Sequence, residues 1–99
     1  MPILLRFTST NCTAAQYDEL VGRLEEAGAG SPAGRLYHVC WGTSENVNVS
    51  DIWESQEAFE KFAQTLGPIM EDLGVTGTPE FIEIHNIIEG TTANAATAQ

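Results

Sequence analysis

At 99 residues, with 42% apolar and 18% charged side chains, the chain has the length of one domain and too little charge to stay disordered. Fourteen acidic residues against four lysines and arginines give a formal charge of −10, which opposes contact with nucleic acid or an anionic membrane surface. The opening PILLRF is interrupted by Arg6 and too short for a secretory core or a membrane span. Cys12 and Cys40 show no extracellular disulfide spacing, so a cytoplasmic protein with reduced thiols is expected.

Pro2 to Thr8 alternates as a strand, with Ile3, Leu5 and Phe7 on one face and Leu4, Arg6 and Thr8 on the other. Thr13 and Gln16 form a capping box that starts a helix, and Tyr17, Leu20, Val21 and Leu24 follow at the spacing of its apolar stripe. Cys12 stands just before this helix, where the N-terminal field lowers a thiol pKa. The turn AGAGSPAG ends the helix. Because these glycines follow a helix and precede a strand, they are no dinucleotide fingerprint.

RLYHVCW and VNVSDIW read as antiparallel strands joined through GTSEN. Ser55 caps a second helix with the stripe Phe59, Phe62, Ala63 and Leu66; Gly67-Pro68 is expected to interrupt it before a last turn or two in IMEDLG. EFIEIHNII, after Pro79, alternates as a fourth strand, and GTTANAATAQ reads as a flexible tail. The expected organisation is thus a folded unit over residues 1–89 followed by a tail at 90–99.

The order β-α-β-β-α-β predicts an α+β, ferredoxin-like fold: a four-stranded antiparallel sheet with two helices on one face. Neither face of the first and fourth strands is wholly polar, so the face without helices needs a cover. A second copy of the same sheet is the simplest symmetric one, which makes a homodimer the expected assembly.

Within this frame a few residues carry chemistry. Trp53 sits where a strand period gives way to a helix period, with Asp51 two residues back on the same face as an acceptor for its indole or for a substrate hydroxyl. His38, on the face it shares with Leu36 and Cys40, and His85, on that of Glu83, are the candidate proton carriers. Tyr37 and Phe59 supply aromatic walls. Arg6 has two readings, an ion pair with Glu83 or with a second subunit, and a hold on a substrate carboxylate or enolate. The two histidines have no ligand spacing to make a metal site, and no flavin or nicotinamide motif is present, so no cofactor is expected.

The junction DIWESQEAFEKF, with the opening PILLRF, the element order and the length, resembles the antibiotic biosynthesis monooxygenase superfamily of dimeric α/β-barrel proteins over about residues 2 to 88. The resemblance implies a pocket between sheet and helices in each subunit, with Trp53 matching a pocket tryptophan. The asparagine that the quinone-forming members carry four residues earlier is Val49 here, and their arginine is absent from the second helix. What it implies is a small protein that binds a flat aromatic or polyketide-like molecule, as a cofactor-independent monooxygenase, as an isomerase or cyclase of the same fold, or as a non-catalytic ligand-binding homodimer.

Overall fold

A computed structural model describes residues 1–93, and the expected tail lies largely outside them. The elements are β1 (Ile3–Thr8), α1 (Ala14–Glu26), β2 (Arg35–Gly42), β3 (Val47–Trp53), α2 (Gln56–Leu73) and β4 (Thr78–Glu83). The sheet has four strands in the order β2-β3-β1-β4, all neighbours antiparallel. This is the ferredoxin-like α+β arrangement that the order of periods predicts.

Local chemistry explains where the elements begin. The Thr13 hydroxyl accepts the Gln16 amide while the Gln16 side chain accepts the Thr13 amide, so the first turn of α1 is closed on itself. Ser55 accepts the amide of Ala58 at the start of α2, and Gly74, at φ 70°, ends that helix in the left-handed conformation that glycine adopts without a Cβ penalty.

Gly67-Pro68 does not interrupt α2, which runs unbroken through both. Proline forfeits one amide bond, but Phe59, Phe62 and Leu66 before it and Ile69, Met70 and Leu73 after it pack on one core. Burial on both sides outweighs the local loss.

β4 also differs from expectation. It starts at Thr78 and stops at Glu83, because Glu83 already pairs with Ile3, the first residue of β1, and no strand remains beyond it for His85 or Ile87 to pair with. Pro79 is accommodated within it because β4 is an edge strand.

The core lies between the sheet and both helices: Leu5, Leu20, Leu24, Trp53 and Phe62 are its buried centre, and Cys12, Val47 and Val75 form a second cluster at one end. The other face of the sheet presents Leu4, Tyr37, Val39, Trp41 and Ile82. The segment after β4 crosses this face, where Ile87 and Ile88 line a hollow with Leu4, Tyr37, Val39 and Ile52, and the Tyr37 hydroxyl donates to Glu89 at 3.0 Å. Much apolar surface stays exposed there, including Val39 at 53% and Ile88 at 85%.

Candidate functional site

Antiparallel pairing sets His38 directly opposite Asp51, on the helix-facing side of the sheet. His38 Nδ1 lies 2.6 Å from Asp51 Oδ1, and the Trp53 indole N–H donates to Asp51 Oδ2 at 3.2 Å. On the other edge of the imidazole, Nε2 is 2.6 Å from the Tyr17 hydroxyl, which α1 lowers onto β2.

One tautomer satisfies all four groups. Asp51 as a carboxylate only accepts, so His38 donates from Nδ1; Nε2 is then an acceptor and Tyr17 donates to it. Asp51 is 5% exposed, yet both of its oxygens have partners, which is what a buried carboxylate requires. Burial pushes the Tyr17 phenol above its ordinary 10.0, Cys40 adds to that rise, and the Arg35 guanidinium pulls it down. The phenol therefore keeps its proton at neutral pH, as the donor role demands.

Tyr17, His38 and Asp51 stand on the wall of a cavity of about 140 Å³ between sheet and helices, otherwise lined mainly by apolar side chains such as Leu20, Leu24, Phe59 and Phe62. Its volume matches an engineered apolar cavity of about 150 Å³ that binds benzene, and falls below the roughly 300 Å³ of a drug-sized pocket. An outer cleft lined by Ser31, Pro32, Leu36 and Tyr37 shares Arg35 and His38 with the cavity. Those two residues stand where the inner space meets solvent.

Trp53 is fully buried at 0% exposure and is not on the cavity wall. Its ring packs edge-on against Phe59 at 5.6 Å and tilted against Phe62 at 5.4 Å, while its N–H fixes Asp51. Phe59 does line the cavity, and Tyr37 reaches only the outer cleft and the open sheet face.

Arg6 lies on that open face, where it pairs with Glu80 at 2.6 Å and not with Glu83, because the β1–β4 register sets Glu80 opposite Arg6 and Glu83 opposite Ile3. His85 is exposed beyond the end of β4, with no hydrogen bond to Glu83 among the described residues. Leu36, at the bulge in β2, is exposed and does not share the buried face of His38. Burial raises the Cys12 thiol, opposite to the lowering expected at a helix start.

Two residues of the site escape the sequence pattern. Tyr17 reads as the first member of a core stripe, and Arg35 as the polar start of a strand. A phenol at the N-terminal end of such a stripe, level with a strand histidine, is the signal that would have raised Tyr17. Arg35 is placed by Gly34, whose φ of +90° favours glycine and where an added Cβ would stand 2.7 Å from the Ala58 side chain.

No family model matches the chain, and no curated protein matches it in sequence. Solved structures do. SnoaB, a cofactor-independent oxygenase from Streptomyces nogalater, superposes with a TM-score of 0.58 at 17% identity, over 90% of this chain and 96% of that one. A protein from Deinococcus radiodurans, provisionally described as an antibiotic biosynthesis monooxygenase, gives 0.59 at 14% identity over 93% and 100%. Another so described, from Chloroflexus aurantiacus, gives 0.57 at 16% over 89% and 99%. With an antiparallel sheet in the order β2-β3-β1-β4 and both helices on one face, this chain has the fold of the antibiotic biosynthesis monooxygenase proteins.

Proposed function

We propose that the protein binds a small flat aromatic molecule in the cavity and removes a hydroxyl proton from it through Tyr17 and His38, as the first step of a cofactor-independent oxygenation. The observation that carries this is the unbroken hydrogen-bonded line from Tyr17 through His38 and Asp51 to Trp53, three members of which face an apolar cavity. The likeness in fold to SnoaB supports the oxygenase version.

The proton path follows from the resting tautomer. Substrate O–H gives its proton to the Tyr17 oxygen as the Tyr17 proton passes to His38 Nε2, and the resulting imidazolium is held by Asp51, whose orientation Trp53 fixes. Trp53 thus acts through Asp51 and needs no contact with substrate. Once a ligand has displaced solvent, the largely apolar cavity strengthens each of these bonds and leaves the aromatic oxyanion poorly solvated, which favours electron transfer from it to dioxygen.

For a phenol with a C–H on the ring carbon opposite the hydroxyl, the enol form of a ring CH2 opposite a carbonyl, the atoms balance as C–H and C–OH plus O2 giving two C=O plus H2O. One oxygen atom forms the new carbonyl, the other leaves as water with the C–H and O–H hydrogens, and the ring supplies all four electrons. Without dioxygen the same relay returns the proton to carbon and gives an isomerase or cyclase. A cavity of about 140 Å³ encloses one ring, and further rings of a polyketide-like skeleton extend past His38 into the outer cleft.

The unit we take to carry this function is residues 1–89, a homodimer joined through the open sheet face, in the reducing cytoplasm that suits two free thiols. The described helices include none long and apolar enough to cross a membrane.

Oxygen uptake and product absorbance with a panel from single-ring phenols to naphthols and anthrones test the proposal. His38→Gln or Asp51→Asn, folded by circular dichroism, should lower turnover about 10²- to 10⁴-fold. Turnover that proceeds equally under argon replaces the oxygenase with the isomerase or cyclase. Tight binding with no turnover leaves a non-catalytic binding protein.

A further inference from the structure

Among the described residues Arg35 is a cation without an acidic partner. Arg6 and Arg23 pair with Glu80 and with Glu19 and Asp72, but among the described residues no carboxylate pairs with Arg35, and Lys61, likewise unpaired, is exposed on α2. Its guanidinium donates one bond, from Nη2 to the Gly30 carbonyl at 3.1 Å, and lies over the Phe62 ring at 5.8 Å from the centroid. Among the described residues no other acceptor takes the remaining N–H donors of this fork, which suits carboxylates.

The position matters as much as the charge. Arg35 lines both the inner cavity and the outer cleft, beside His38. The neighbouring negative group that faces this space, Asp51, has both oxygens committed to His38 and Trp53. A half-buried guanidinium over an aromatic face, at the mouth of an apolar cavity, is a built half of an ion pair. Among the described residues nothing supplies its other half.

We infer that the cavity is specific for an aromatic molecule carrying an anionic oxygen, carboxylate or acidic enolate, that pairs with Arg35 while a hydroxyl on the same edge of the ring meets Tyr17. This rests on the proposed small-molecule site and adds its charge selectivity. Because Arg35 and His38 share the mouth, both polar groups of the ligand lie on one ring edge and the apolar edge points inward. The net charge of −10 opposes anions only at long range, where salt screens it beyond about 8 Å; at the mouth the nearest charge decides.

Calorimetric titration with meta-hydroxybenzoate and with its methyl ester decides the matter, because the two share the ring and the phenol and differ in the anion. Wild-type protein should bind the acid about tenfold or more tighter than the ester, the preference disappearing in Arg35→Gln and surviving in part in Arg35→Lys. Equal affinity in the wild type, or a preference unchanged in Arg35→Gln, overturns the anion site while leaving the aromatic cavity and its relay standing. No binding of either compound overturns both. The wild-type pair alone is decisive if a variant fails to fold.

Discussion

Trp53 combines two roles that are usually separate: its ring is core and its nitrogen orients a carboxylate. They separate under substitution. Trp53→Ala removes ring and donor, with an expected loss of about 3 to 5 kcal/mol. Trp53→Phe keeps a ring but leaves a buried Asp51 oxygen without its donor, an expected loss of about 1 to 3 kcal/mol. Urea denaturation of the two variants checks the order; no loss in Trp53→Phe would mean that the indole bond contributes nothing, and equal losses that the ring adds nothing beyond that bond. Tyr17 makes a pH prediction. A phenol whose folded pKa is raised above the ordinary 10.0 adds stability that is fully present below that value and is lost as pH rises through the folded one. Cys12 and Cys40, raised by burial from 9.0, act in the same direction from a lower pH. The melting temperature should therefore fall on the alkaline side above about 9 to 10, and Tyr17→Phe should flatten the upper part of that fall. Scanning calorimetry against pH reads both.

At the scale of elements, α2 carries the heaviest conflict between local and tertiary preference. Pro68 opposes the helix locally and the apolar stripe on either side enforces it. Pro68→Ala restores the amide bond to the carbonyl four residues earlier and should stabilise the protein by about 1 to 3 kcal/mol, read from the denaturation midpoint. Ser55→Ala should do the opposite by about 1 kcal/mol, because the Ala58 amide then loses its acceptor. β4 illustrates a different limit. The alternation of EFIEIHNII is real, but a strand lasts only as long as its partner: β1 begins at Ile3, and before it only the Pro2 carbonyl takes one more bond, from the Ile84 amide.

For the whole molecule the open sheet face is the largest unanswered demand. Tyr37, Val39, Trp41 and Ile82 are all exposed on a surface that the segment after β4 only partly crosses. If a second copy covers it, light scattering should give about twice the 10.7 kDa chain mass, and Val39→Lys should give the monomer by burying charge at the centre of the contact. A monomeric wild type would refute the assembly without touching the cavity, which lies on the opposite side of the sheet.

Pattern along the chain encodes everything that depends on near neighbours: the capping box at Thr13, the change of period at Trp53, the side of the sheet on which Asp51 and Trp53 lie together, and from the order of periods the fold. These are set by side-chain geometry within a few residues, which pattern encodes directly. Which of those residues meet depends on the closed fold. Alternation assigns a face but not a register, so it could not say that Asp51 would stand opposite His38, that Arg6 would find Glu80, or that His85 would fall past the end of its partner strand. Tyr17 reaches His38 across 21 positions of chain because a crossover lays α1 over β2, and that contact exists only once both helices have closed on the sheet.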